Sequence, residues 1–526
     1  MKSKAVFILP PSNYDFDKSK TPSWDIVRIP PIGLMTISSY LHSKGYNIKI
    51  IDCRELIFKY KTNDYAQFVL NIVDEFKPDM IGIDIFTALF DEAKNISREL
   101  KKRFPNIIII AGGVHSSVEP ILTFQEIPDI DAICVGPGEE VCLDILERKD
   151  IRSIQGLMHR DCVEKFEKRT VILDIDKYPF PNYDLVNSKF YTDFTINTIN
   201  GWGYKGLGAI TSRSCPYSCK FCASDWSKPF RYHSPEYIIE MVKYLLTYDI
   251  DVITFWDDTI AAIKERLYKI CEGFIREKIF YPYSSKRWFA PIRASQIDLD
   301  TLKLMKKAGC CGVNIGIESG SDRMLQLMNK KTTVEMNKGA CAHVREAGLS
   351  LVAAFIIGFP GETETEMRET LAFMQNINCN VEGISIFRPL PGSPFYREFI
   401  NNGTLPKKDI DWSNLGNFSI ASKYLFCDMP KQKFEKIWNE ALEIAYSKRW
   451  TAIHEDILLK YPNEIKTIAS RTRVKIVKLD HYEESAHVSY FTPSPHSLYN
   501  ILRFALRNFI PIKLRARLRI LIAKFK

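Results

Sequence analysis

Short apolar runs, each ending in glycine, proline or a small polar residue, recur through the first four hundred positions of this 526-residue chain. Asp84 apart, Met80–Ile85 and Ile107–Ala111 are continuous apolar runs, the pattern of strands buried on both faces of a parallel sheet. Ala5–Leu9 stops at Pro10, and Asn47–Ile51 stops at Asp52. A helix is predicted through Gly33–Leu41, closed by Gly45. A second series of apolar runs begins at Leu207–Thr211. It continues at Val252–Trp256, Arg287–Pro291, Val313–Ile317, Leu351–Ile357 and Gly383–Phe387. Strand–helix alternation of this kind constrains the chain to an α/β fold. We expect a doubly wound, Rossmann-like domain first and then a partial six-unit barrel, since six units are too few for a closed eight-fold one.

The length requires more than one core. The expected divisions are 1–145 for the doubly wound domain, 146–200 for a linker, 201–400 for the partial barrel and 401–526 for a mainly helical region. The linker expectation rests on Tyr178-Pro179-Phe180-Pro181, whose prolines hold the chain out of helix. The start of the chain is broken by Pro10-Pro11 too early for a signal peptide, and no stretch approaches the roughly 20 apolar residues of a membrane span. A cytoplasmic location is expected. There the thirteen cysteines would be reduced thiols, most of them small buried hydrophobes. Of the 72 basic residues, eight lie in the last 26 positions, and the others nearly balance the 63 acidic ones. A near-neutral body argues against a nucleic-acid partner.

Directly after the first strand of the second series stands Ser214-Cys215-Pro216-Tyr217-Ser218-Cys219-Lys220-Phe221-Cys222. Three thiolates on one tight loop suit zinc or an iron–sulfur cluster. A closed structural zinc site needs four protein ligands, so that alternative requires a distant one such as His233. Three ligands leave a metal corner open for chemistry.

A CxxxCxxC loop with an aromatic residue, Phe221, before its last cysteine resembles that of the radical S-adenosylmethionine (SAM) superfamily. The resemblance implies that Cys215, Cys219 and Cys222 hold a four-iron four-sulfur cluster whose open iron is chelated by SAM. It also implies reductive cleavage of SAM to a 5′-deoxyadenosyl radical, with electrons from an external donor of the flavodoxin or ferredoxin type. Later strand ends match in order. Asp257 and Asp258 fall where relatives bind the SAM ammonium; helix capping is the other reading of either. Arg293 suits the SAM carboxylate through its bidentate fork, against a plain structural ion pair. Glu318 and Ser319 lie in a segment like the ribose-contacting one, and Ile357 and Gly358 in one that flanks adenine.

The doubly wound domain ahead of such a barrel resembles the cobalamin-dependent branch of the superfamily. The matching residues are Pro31 and Gly33, Thr87 at the end of the Met80 strand, Gly112, Gly113 and His115, and Gly136, Gly138 and Glu139. The Asp-x-His-x-x-Gly signature of cobalt ligation by histidine is missing. His115 is a candidate contact, although a hydrogen-bonded loop histidine describes it slightly better. If cobalamin binds, the branch implies methyl transfer to an unactivated carbon of a lipid or secondary metabolite. Cyclisation or rearrangement on the same architecture is the alternative, and a non-catalytic metal-binding module is a more distant one. Residues 499–526 form a basic amphipathic segment split by Pro511, as suited to peripheral contact with an anionic membrane as to docking on the protein itself.

Overall fold

A computed structural model of the chain describes residues 3–12, 29–192, 205–224, 228–280, 286–377, 380–448, 450–454 and 473–477. The expected amphipathic segment 499–526 lies outside these residues.

The first apolar series builds a six-stranded sheet: β1 (Lys4–Leu9), β2 (Asn47–Asp52), β3 (Met80–Asp84), β4 (Ile108–Gly112), β5 (Ala132–Cys134) and β6 (Leu157–His159). The strand order is β2-β1-β3-β4-β5-β6. All neighbours run parallel except β6, which pairs antiparallel with β5. β3 is buried at all five positions, as a strand covered by helices on both faces must be. Its register sets Asp84 beside Gly112, so the two strands end together.

The second series builds β7 (Gly206–Ala209), the short β8 (Ser212–Arg213) and β9 (Arg231–Tyr232), β10 (Val252–Phe255), β11 (Arg287–Ile292), β12 (Cys310–Glu318), β13 (Ser350–Ile357) and β14 (Asn380–Ile386). Six of these form a parallel sheet in the order β7-β10-β11-β12-β13-β14, the open arc of a partial barrel. A helix follows each of β9 to β14, some of them with capped starts. Ser234 caps Pro235–Leu245, and Thr363 with Glu366 forms a capping box on Glu364–Asn376. Among the described residues no helix is long and apolar enough to cross a membrane.

Beyond residue 400 the described residues include the helix Lys431–Lys448 and a parallel pair of strands, β15 (Trp450–His454) and β16 (Arg473–Val477). Between the barrel and that helix the chain returns to the first domain. Trp412 is 1% exposed, stands 5.6 Å from Phe90 and 4.6 Å from His115 by ring centroids, and donates its indole N–H to Glu126. The hydroxyl of neighbouring Ser413 donates to Asp91. A residue following the barrel thus completes the core of the domain that precedes it.

Candidate functional site

The loop bearing Cys215, Cys219 and Cys222 leaves β8 and rejoins at β9, and the antiparallel pairing of these two strands ties its ends together. Backbone bonds fix the interior. Lys220 N–H donates to the Met328 carbonyl at 2.9 Å, Cys222 N–H to that of Cys219 at 3.1 Å, and Phe395 N–H to that of Lys220 at 3.1 Å. Asn329 adds its side-chain N–H to the Ser218 carbonyl at 2.7 Å. Cys219 is buried, while Cys215 and Cys222 are half-buried. Burial pushes the Cys215 thiol up to about 11 and raises that of Cys222. Metal ligation by these thiols would therefore displace protons. Among the described residues no three Cys, His, Asp or Glu side chains close on a single ion. In a four-iron four-sulfur cluster each thiolate meets a different iron, and three thiols carried on one loop suit that arrangement.

His233, the distant residue a zinc site would call on, is held in place by two neighbours. Its Nδ1 bonds Asp176 at 2.8 Å, and its ring stacks on Tyr237 at 3.8 Å. Phe221 packs edge-on to Phe359, with the Lys330 ammonium 5.8 Å from its ring.

The two adjacent aspartates after β10 face different ways. Asp257 is buried and accepts from the Thr211 N–H and hydroxyl and from the Ser212 hydroxyl. It fixes the approach to the cysteine loop. Asp258 opens into a cavity, its carboxyl raised by burial in the wall and by Asp257. Arg293, at the end of β11, lies against the loop with Nη1 3.4 Å from the Cys219 sulfur and its guanidinium 4.2 Å from the Tyr217 ring centroid. Its Nη2 is buried with no hydrogen-bond partner. Such an orphaned donor is costly unless a ligand meets it, which fits an anion such as the SAM carboxylate.

Glu318, in the left-handed region at φ 65°, forms a buried ion pair with Lys330 at 2.6 Å. Ser319 shares a hydrogen bond with Thr370 at 3.2 Å and accepts the Ser321 N–H. Ile357 is fully buried at the end of β13. The next two residues, Gly358 and Phe359, give their N–H groups to Glu362, whose carboxyl burial pushes up to about 7.

One cavity of about 560 Å³ joins the two domains. From the first come Gly33, Asp84, Gly112, Gly113, Gly136, Gly138 and Glu139; from the second come Arg213, Cys222, His233, Trp256 and Asp258. A Cβ built on Gly33, Gly112 or Gly136 would meet no atom within 4 Å, so these three glycines border open space of the kind a bulky cofactor fills. Glu139 is 3% exposed and pairs with Arg213, two residues before Cys215, at 2.6 Å. Burial works against its charge, but Arg213 outweighs it and holds the carboxyl below the usual range.

Pro31, Thr87 and His115 lie outside the cavity lining. Gly113 turns the chain at φ 91° into the helix Val114–Val118, which carries His115 behind the strand ends. There its ring packs on Phe90 and Trp412 and its Nδ1 meets the Thr87 hydroxyl at 3.1 Å. Burial lowers its pKa to about 3, so the ring is neutral. The sequence reading also passed over Asp84, the Glu139–Arg213 pair and the Asp176–His233 contact. For Asp84 a signal existed, an acid closing an otherwise apolar strand.

Residues 209–374 match the Radical SAM superfamily and residues 27–146 match the B12 binding domain. An uncharacterized methyltransferase of Pyrococcus horikoshii is 31% identical over 388 residues, covering 72% of this chain and 80% of the relative. An anaerobic magnesium-protoporphyrin IX monomethyl ester cyclase of Rubrivivax gelatinosus is 25% identical over 391 residues, 70% of this chain and 66% of the relative. The fold is shared with the radical SAM methyltransferase TsrM of Kitasatospora setae at a TM-score of 0.65 and 15% identity, covering 86% of this chain and 93% of that one. The groups present fit these cofactors: three thiols on one loop for a four-iron four-sulfur cluster, an unpartnered Arg293 Nη2 for an anionic group of SAM, and a glycine-lined cavity for cobalamin. The chain belongs to the radical SAM superfamily and is an enzyme of its cobalamin-dependent branch, with a B12 binding domain ahead of the radical SAM domain.

Proposed function

We propose that the enzyme transfers a methyl group to an unactivated carbon of a small, largely apolar substrate, a lipid or secondary metabolite. The observation that carries this reading is a cavity shared by the two cofactor territories, with Gly33 and Gly112 on one wall and Cys222 and Asp258 on the other. When bound, the cluster and SAM supply a 5′-deoxyadenosyl radical, and cobalamin supplies the methyl group. The protein's part is placement and exclusion of water. Asp258 receives the SAM ammonium, while Asp257, held by Thr211 and Ser212, keeps the loop in register. Arg293 receives the carboxylate on its unpartnered Nη2. The Glu318–Ser319 turn borders the ribose, and Ile357 and Gly358 border the adenine. Pro31, Thr87 and His115 act from behind the cofactor by shaping the strand ends.

Replacing Arg293 with lysine keeps a charge but removes the fork. SAM affinity is expected to fall by about tenfold to a hundredfold, the worth of a charged hydrogen bond. Equilibrium dialysis on cluster-loaded protein checks this, and unchanged affinity would remove Arg293 from the SAM site.

The reaction is tested by incubating the fully loaded enzyme, a flavodoxin-type reductant and trideuteriomethyl-labelled SAM with a lipid and metabolite extract. One labelled methyl in a product, with S-adenosylhomocysteine formed beside 5′-deoxyadenosine, supports methyl transfer. A product that has lost or shifted hydrogens without gaining the label favours cyclisation or rearrangement, in keeping with the similarity to the cyclase. Peripheral membrane contact through residues 499–526 belongs to the same reading. Liposome flotation in which the full chain and the 1–498 protein behave alike would remove it.

A further inference from the structure

Asp84 is the last residue of β3 and lines the cavity beside Gly112 and Gly113. It is 9% exposed. Its Oδ1 stands so close over Gly113 that a Cβ there would lie 2.2 Å away. Neither carboxyl oxygen has a hydrogen-bond partner among the described residues, and neither is sealed away from the cavity. The cation that acts on it, Arg54, has its guanidinium bonded to Asp52 at 2.6 Å and to the Ile29 carbonyl. Burial pushes the Asp84 carboxyl up to about 7, with Arg54 pulling weakly the other way. In its protonated form the group offers a donor and an acceptor side by side.

A buried polar group in this state is costly without a partner. The partner that satisfies both oxygens at once carries an acceptor and a donor in one plane, as a primary carboxamide does. The rim of a corrin ring bears such amides, whereas a single water or axial oxygen would meet only one of the two. Resting on the cobalamin reading of the cavity, we propose that Asp84 is a specific contact of the corrinoid, pairing its carboxyl with a carboxamide on the ring rim.

The test is a visible-absorbance titration of the full-length, cluster-containing protein with hydroxocobalamin, and separately with dicyanocobinamide, which keeps the ring amides and lacks the nucleotide tail. Asp84→Leu is expected to loosen both ligands by about tenfold or more, since an amide is left facing an apolar side chain. Asp84→Asn, which keeps a donor and an acceptor, is expected to stay within about threefold of the wild type. Iron content and the thermal midpoint confirm folding; should the leucine variant fail there, Asp84→Ala carries the same expectation. Wild-type affinity in the leucine variant overturns the proposal, and so does a loss in Asp84→Asn as large as in Asp84→Leu. A penalty seen with hydroxocobalamin but not with cobinamide moves the contact to the nucleotide tail and overturns it as well. A wild-type protein that binds neither corrinoid strikes the cobalamin reading itself, which is a different failure.

Discussion

Cys219→Ala protein is expected to fold and to purify without its cluster. The loop is held by backbone bonds to Met328 and Phe395 and by the Asn329 side chain, none of which passes through a thiol. Alanine in place of one buried, 9% exposed sulfur leaves a small void and little strain. The ligand set is different, because a cluster held by three thiolates has none to spare. Iron is expected to drop from about four atoms per chain to well below one, and reductive SAM cleavage to background. Iron analysis, electron paramagnetic resonance of the reduced protein and 5′-deoxyadenosine yield measure this. Four irons retained with near-normal cleavage would take Cys219 out of the ligand set.

Gly112→Leu should do the reverse, sparing iron and removing cobalt. No atom lies within 4 Å of the Cβ position, so the side chain enters the cavity instead of the core. Folding stability is expected to shift by no more than about 0.5 kcal/mol, as for a surface change. Cobalt is expected to fall from about one per chain to below a tenth, because a close-packed ligand cannot share its space with four extra carbons. Gly113→Ala is the control. At φ 91° and with Asp84 2.2 Å from the new carbon, it is expected to destabilise the whole domain by about 1–3 kcal/mol. Metal analysis and denaturant titration separate the two glycines. A cobalt-replete Gly112→Leu protein would place the cofactor elsewhere.

The difference between these neighbours marks what was legible in the sequence. Strands β1, β3, β4, β10 and β13 were readable because parallel strands buried on both faces need largely apolar runs. The cysteine loop was readable because its chemistry is local. β6 is three residues long, too short for any periodicity, and its antiparallel pairing is a tertiary event. Asp257 and Asp258 are chemically identical in the sequence; only the Thr211 and Ser212 donors divide a structural residue from one that faces the cavity. His115 follows two glycines at a strand end, a place that suggests ligand contact. The turn at Gly113 carries the ring to the far side, where it meets Trp412, and no local pattern encodes a partner so distant.

That return of the chain sets a timetable for synthesis. Trp412 covers Phe90 and His115 and reaches Glu126 across 286 residues of sequence. At roughly 5–20 residues per second on the ribosome, the first domain waits about 15–60 s for its last aromatic side chain. Throughout that interval an apolar face stands open to water. The domain produced alone is therefore expected to be chaperone-dependent or prone to aggregation, and a ribosome-stalled chain ending before Trp412 should be more sensitive to protease at the Phe90 helix than the finished protein.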